Sequence, residues 1–258
     1  MDYFEKLENN PYADLLWNIP ERKQGAVNII GGNSQSFRAE VKSAEFLSAK
    51  YPIESIRLVL PDALQGKLPA LPDVKYLKST ESGSFASSEE RTEAINAADW
   101  SLLMGDLSKN TTTRRVVASA CENSERPLLI TRDVVDALAE DNPGMTLMND
   151  KITIMGSVAQ LQKLLRAVYY PKMLLMSQSL VQVVDVLHKF TLSYPVSIVT
   201  LHNEQVLTAK NGLVRAVPLS KSGYSPMMLW QGELASKIVA LNLYNPDQFV
   251  SATICAIF

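Results

Sequence analysis

Ala26-Val27-Asn28-Ile29-Ile30-Gly31-Gly32-Asn33 is the stretch that decides the class of fold. Its apolar run is short enough for a buried strand and too short for a buried helix. The Gly-Gly pair after it is a turn. Downstream, Ala39, Val41, Ala44 and Leu47 recur at approximately helical spacing, and Ile56-Arg57-Leu58-Val59-Leu60 is a second apolar run. Strand, turn, helix, strand is the unit from which parallel sheets are built.

The alternation continues along the chain. Val74-Lys75-Tyr76-Leu77 reads as a short third strand, and Ser101-Leu102-Leu103-Met104 as another before the turn at Gly105-Asp106. A helix is predicted over 112–120, strands over 128–131 and 152–155, and a helix over 158–167. Apolar residues at 173, 176, 180, 184 and 187 form a helical stripe through 173–190, in which Met173 and Met176 read as core filler. The Ser- and Glu-rich segment 79–90 reads as linker, lid or solvated surface. From Pro195 the pattern changes to strands over 196–201, 205–209 and 213–217, the last two joined by Lys210-Asn211-Gly212, an Asn-Gly hairpin signal. Helices follow over 232–243 and from Asn245-Pro246, the latter placing Phe249, Val250, Thr253, Ile254 and Ile257 on one face. The expected architecture is a three-layer α/β/α sandwich with a mostly parallel mixed sheet, one domain over 1–258 with 1–22 as an N-terminal extension.

Composition narrows the function. The chain has 258 residues, 47% apolar and 20% charged, with net charge -2. That is too apolar for a disordered chain and too near neutrality for a general nucleic-acid binder. No apolar run is long enough to span a membrane, and Met1-Asp2-Tyr3-Phe4-Glu5-Lys6 does not begin a secretory signal. Cys121 and Cys255 match neither a disulfide framework nor a metal site, and suit a reducing cytoplasm. Glycine and histidine are scarce, at 11 and 2 residues. A histidine-centred site must use His188, at the end of an apolar helical stretch, or His202, which follows a strand and is the better candidate.

In open α/β sheets, ligands collect beyond the carboxyl ends of the strands, where helix N-termini present free N–H groups. The loops there are Gly31-Gly32-Asn33-Ser34, Gly105-Asp106-Leu107-Ser108, Thr131-Arg132-Asp133 and Gln231-Gly232-Glu233. None is a Walker A loop or a GxGxxG turn. Asp106 and Asp133 read as caps or as ligand-binding carboxylates. Ser34, Ser108 and Ser157 are possible nucleophiles, but no Gly-x-Ser-x-Gly elbow accompanies them and His202 is the only base of the right type.

Lys23-Gln24-Gly25-Ala26-Val27-Asn28-Ile29-Ile30-Gly31-Gly32-Asn33 resembles the opening strand and Gly-Gly turn of the ATP/ADP-dependent NAD(P)H-hydrate dehydratase family, which has the ribokinase-like fold. Arg57-Leu58-Val59-Leu60-Pro61 is similar to that family's next strand and its trailing proline. Leu103-Met104-Gly105-Asp106-Leu107 lies where the family has a glycine-rich turn, and the stretch from Arg126 to Asp133 resembles a strand ending in paired aspartates. The resemblance runs over most of the chain from Lys23, as topology and spacing more than identity. It implies ATP or ADP with Mg²⁺ as cofactor, NAD(P)H hydrate as substrate, and a homo-oligomer. The implied site comprises Gly31, Gly32, Asn33, Gly105, Asp106, Asp133, His202 and Gly232, with Glu233 as catalytic base.

The departures fall on the chemistry. The family's Gly-Thr-Gly-Asp turn, an anion hole with its base, corresponds to Trp230-Gln231-Gly232-Glu233. Tryptophan replaces a glycine that allows close backbone approach, and Glu233 sets its carboxylate one methylene further out. Gly156-Ser157-Val158-Ala159-Gln160 stands for a Pro-His-Pro-Gly-Glu-like turn, and Leu201-His202-Asn203-Glu204 for a Lys-Gly turn. Thr131 replaces the first of the paired aspartates. Two expectations follow: a catalytically weak or silent ligand-binding or assembly protein, with Met227-Met228-Leu229-Trp230 as contact surface or as core, or an active dehydratase or small-molecule kinase using Glu233.

Overall fold

The computed structural model describes residues 2–67, 73–107 and 110–258. Its strands are β1 (Phe4–Lys6), β2 (Ala26–Ile30), β3 (Ser55–Pro61), β4 (Val74–Leu77), β5 (Trp100–Leu103), β6 (Leu128–Thr131), β7 (Ile152–Met155), β8 (Ser197–His202), β9 (Gln205–Lys210) and β10 (Leu213–Pro218). They form one sheet of order β1-β10-β9-β8-β7-β6-β5-β2-β3-β4. The run from β4 to β8 is parallel, β9 is antiparallel to β8 and β10, and β1 runs parallel to β10.

The helices are α1 (Arg38–Lys50), α2 (Ser88–Asn96), α3 (Thr111–Glu122), α4 (Asp133–Ala139), α5 (Gly144–Leu147), α6 (Val158–Ala167), α7 (Leu180–Ser193), α8 (Leu219–Ser222), α9 (Glu233–Tyr244) and α10 (Phe249–Ile257). Alternation along the strands divides two cores. Ile30, Leu103, Ile130 and Ile154 pack with Val117, Leu161 and Phe190 beneath α2, α3, α4, α6 and α7. Val27, Ile29, Leu102 and Leu129 pack with Leu47, Ile238 and Ile254 beneath α1, α9 and α10. Central strands covered on both faces need near-continuous apolar sequence, and that is why their positions agree closely with expectation.

The differences are local. The N-terminal segment is part of the sheet: Leu7 N–H donates to the Ala216 carbonyl at 2.8 Å, and the Tyr3 ring stacks on His188 at 3.6 Å. His188 therefore clamps the edge of the sheet, with Nδ1 on the Gly212 carbonyl. The segment read as loop to residue 90 gives way to α2 at Ser88, where the Ser87 hydroxyl accepts the Glu90 N–H. The helix expected over 173–190 starts only at Leu180, capped by a reciprocal Ser179–Gln182 box. Met173 and Met176 precede it and are 58% and 66% exposed, so neither fills the core. Asn245 closes α9 instead of opening the last helix, its Nδ2 donating to the Leu241 carbonyl. That last helix begins at Phe249.

Candidate functional site at the carboxyl edge of the sheet

Strands β2, β5, β6 and β7 all end on one edge, and the loops that leave them are tied together. Gly32 N–H donates to the Gly105 carbonyl at 3.1 Å, and Asn33 Nδ2 donates to the Asp106 carbonyl. Asp133, the first residue of α4, turns back: its carboxylate accepts the Asp106 N–H at 2.7 Å and the Leu107 N–H at 2.8 Å. Burial raises its pKa, and those two N–H groups oppose the rise. Only glycine fits at 105, because a Cβ there would stand 1.6 Å from Asp133 Oδ1. Six of the expected residues, Gly31, Gly32, Asn33, Gly105, Asp106 and Asp133, thus lie within one knot of loops.

Beside this knot is a cleft of about 630 Å³. Arg132, Asp133, Asp136, Ser157, Gln160 and Lys163 line one wall, and Met227, Trp230 and Gln231 line the other. Its cations are already neutralised. Arg132 pairs with Asp106 at 2.7 Å, and Lys163 with Asp136. Gln160 binds both elements, its Nε2 donating to the Arg132 carbonyl and to Asp136 Oδ2. Ser157 caps α6 in a reciprocal box with Gln160, which spends its hydroxyl on structure. Ser34 Oγ reaches the Ser82 carbonyl; Ser108 lies outside the described residues.

Gly232 caps α9 with φ +104°, and a Cβ there would meet the Met104 methyl and the Ser43 hydroxyl at 2.6 Å each. Glu233 does not line the cleft. It is exposed and contacts the Tyr224 hydroxyl, which burial first, and then the nearby carboxylate, push up to about 12. His202 lies further along the edge, at the end of β8. It is buried, with Nε2 on the Gln178 carbonyl 2.8 Å away, and so anchors the segment before α7. Met227 is 77% exposed while Leu229 is buried, so the 227–230 stretch is part surface and part core.

Glu40 escaped the sequence reading. On the first turn of α1, it has no exposed surface and, among the described residues, no hydrogen-bond partner for either carboxylate oxygen. It lies against Gly31, where a Cβ would come 2.4 Å from Oε1. Burial, with the Asp106 charge adding, raises its pKa to about 8, so it is mostly protonated at neutral pH. The available signal was spacing. Glu40, Ser43 and Leu47 form the buried stripe of α1, a pattern in which glutamate occupies a core position.

No protein-family model matches the chain. No curated protein matches it by sequence. Solved structures match it in fold. A ribokinase-like superfamily protein of Enterococcus faecalis superposes with TM-score 0.70 at 17% identity, over 100% of this chain and 86% of its own. The fold is that of the ribokinase-like superfamily. A hypothetical protein of Streptococcus mutans gives TM-score 0.68 at 13% identity, covering 98% and 88% of the two chains. The ADP/ATP-dependent NAD(P)H-hydrate dehydratase of Bacillus subtilis, co-crystallized with ATP/Mg²⁺, gives 0.60 at 10%, covering 98% and 86%. Within this ribokinase-like frame, the edge combines tightly closed loops, a cleft with neutralised cations and one protonated buried carboxyl. No helix among the described residues is long and apolar enough to cross a membrane.

Proposed function

We propose that this ribokinase-like protein binds a small ligand in the cleft beside Trp230 and transfers no phosphoryl group. The observation that carries the reading is Glu233: its carboxylate is exposed and faces Tyr224 instead of lining the cleft. A general base must come within about 2.6–3.2 Å of its proton, directly or through one water. The paired state of Arg132 and Lys163 supports the same reading, since neither is free to neutralise charge moving onto a phosphoryl oxygen. Among the described residues no three His, Cys, Asp or Glu side chains are grouped to hold a metal. Asp133 is spent on backbone N–H groups and Asp136 on Lys163 and Gln160. That donor set does not fit a protein-held Mg²⁺.

What the cleft offers is hydrogen bonding on one wall and the Trp230 and Met227 surfaces on the other. A nucleotide or a nicotinamide compound held without turnover falls within this reading, as does assembly into a homo-oligomer. The test is thermal unfolding with ATP, ADP, NADH and NADPH, with and without Mg²⁺, alongside an ATP-hydrolysis assay. At about 100 times Kd, a bound ligand should stabilise by about 2.7 kcal/mol with no hydrolysis above background. ATP turnover that Glu233→Ala abolishes would overturn the proposal and establish the active dehydratase or kinase in its place.

A further inference from the structure

The outward face of α7 plays no part in the cleft. Val183, Val184, Leu187 and Phe190 turn the other face of this helix into the core. At 3.6 residues per turn, the side opposite them is centred on Val181, Asp185, His188 and Leu192, spaced by four, three and four. That is the period of a seam between two packed helices. Its two ends are apolar and open to solvent, Val181 being 48% and Leu192 63% exposed.

Each end carries further apolar surface. Met173, on the segment that leads into α7, lines with Val181 and Asp185 a groove of about 460 Å³. The segment is held in place: Leu174 is buried, Leu175 N–H donates to Gln178 Oε1 at 2.8 Å, and His202 binds the Gln178 carbonyl. At the far end Leu192 lies over Gly212, where a Cβ would stand 2.7 Å from Leu192 Cδ2, and the adjoining Leu213 is exposed. The middle is charged.

Asp185 pairs there with Lys172 at 2.6 Å and with Lys189 at 2.7 Å. His188 spends its ring on the Gly212 carbonyl and Tyr3, so Lys189 is the cation beside the seam. This pattern is complementary to itself. A second α7 turned end for end about the middle of the helix sets Val181 against the partner subunit's Leu192. The same operation sets Asp185 beside the partner subunit's Lys189. A twofold contact requires such a patch, and a parallel pairing would set the two Asp185 carboxylates together instead.

We propose that α7 pairs antiparallel with the α7 of a second copy of this chain, forming a twofold dimer in which Leu192 enters the groove beside Met173 and Val181 of the other copy. The apolar ends supply the burial, and the charges between them fix the register. The seam from Val181 to Leu192 is about 17 Å long, so the contact is small and the dimer is expected to dissociate in the micromolar range.

The test is sedimentation velocity of the full chain over roughly 1–300 µM, with cysteine cross-linking to fix the register. Wild type should pass from monomer to dimer across that range, and a monomer throughout overturns the proposal. Leu192→Glu should weaken the dimer about ten-fold with its unfolding midpoint unchanged, and an unaltered dimer overturns the seam. Asp185→Lys and Lys189→Glu should each impair self-association by facing like charges across the axis. A one-to-one mixture of those two variants should recover it, because each lysine then faces a carboxylate; no recovery overturns the antiparallel register. Val181→Cys mixed with Leu192→Cys should form an intermolecular disulfide on mild oxidation. Either alone should not, since like positions lie about 16 Å apart, beyond the reach of a disulfide. The native Cys121 and Cys255 are buried and do not compete. A dimer whose mixture gives no disulfide, or whose single variants cross-link as readily, overturns the geometry. None of these residues lines the cleft, so the dimer and ligand binding there stand or fall separately.

Discussion

Glu40 and Arg91 lie on opposite faces of one sheet, each on the first turns of a helix and each without a side-chain hydrogen-bond partner among the described residues. Their chemistry makes the same burial mean different things. A carboxyl group deprived of water takes up a proton and becomes neutral, and Glu40 does this, its pKa rising to about 8. A guanidinium has no such exit near neutrality; even at about 9 Arg91 remains charged. Burial of Glu40 therefore shows itself as pH dependence, whereas burial of Arg91 shows itself as dependence on the Phe85 ring beneath it.

The largest effect should come from Glu40. A carboxyl whose folded pKa lies above its ordinary value stabilises the fold fully below about 4.5, and the contribution drains away as pH rises toward 8. At roughly 1.4 kcal/mol per pH unit, the loss from pH 5 to 8 is on the order of 4 kcal/mol. Asp133, also raised by burial, contributes in the same direction. Urea unfolding of wild type between pH 5 and 8 should show this fall, and Glu40→Gln should flatten it and be the more stable protein at pH 8. Parallel slopes for the two proteins would remove Glu40 from the account.

Asp133 sharpens the contrast, being a buried-side carboxylate that does have partners. Gly105→Ala would drive a methyl into Asp133 Oδ1 and displace the carboxylate from the Asp106 and Leu107 N–H groups. Losing those charge-assisted bonds should cost about 3 kcal/mol in thermal unfolding. Gly144→Ala is the control: like Gly105 it has no positive φ, but the nearest atom to its new Cβ is Asn142 Oδ1, at an ordinary 3.7 Å. A Gly105→Ala loss no larger than the control's would show that the Asp133 contacts contribute little.

The same contrast explains what the sequence made legible. The apolar runs at Ala26–Ile30 and Leu128–Thr131 were readable because a strand covered on both faces tolerates little else. The helix Val158–Ala167 was readable because its apolar spacing is regular. α2 was not, since its buried positions are Arg91, Ala94 and Ile95, and a charged residue in the first of them hides the period. β1 was missed for a related reason: Phe4-Glu5-Lys6 is a charged edge strand whose identity comes from pairing with β10. At the site, the glycine turns and Asp133 were found by their place after strands. Glu40 was not, because a glutamate on an amphipathic helix is ordinarily solvated. The direction of Glu233 depends on the rotational phase of α9 and on Tyr224, which no local pattern encodes.

The smallest effect isolates what the Phe85 ring does for the unpaired cation. Phe85→Leu alone removes both apolar volume and the ring face under Arg91. In an Arg91→Met background the volume term persists and the cation–ring term vanishes, so a double-mutant cycle separates them. With the guanidinium fully desolvated, the coupling should be about 1–2 kcal/mol, read from unfolding midpoints in phosphate-free buffer. A coupling near zero would mean that the ring does not stabilise the charge, and that water or another acceptor reaches Arg91.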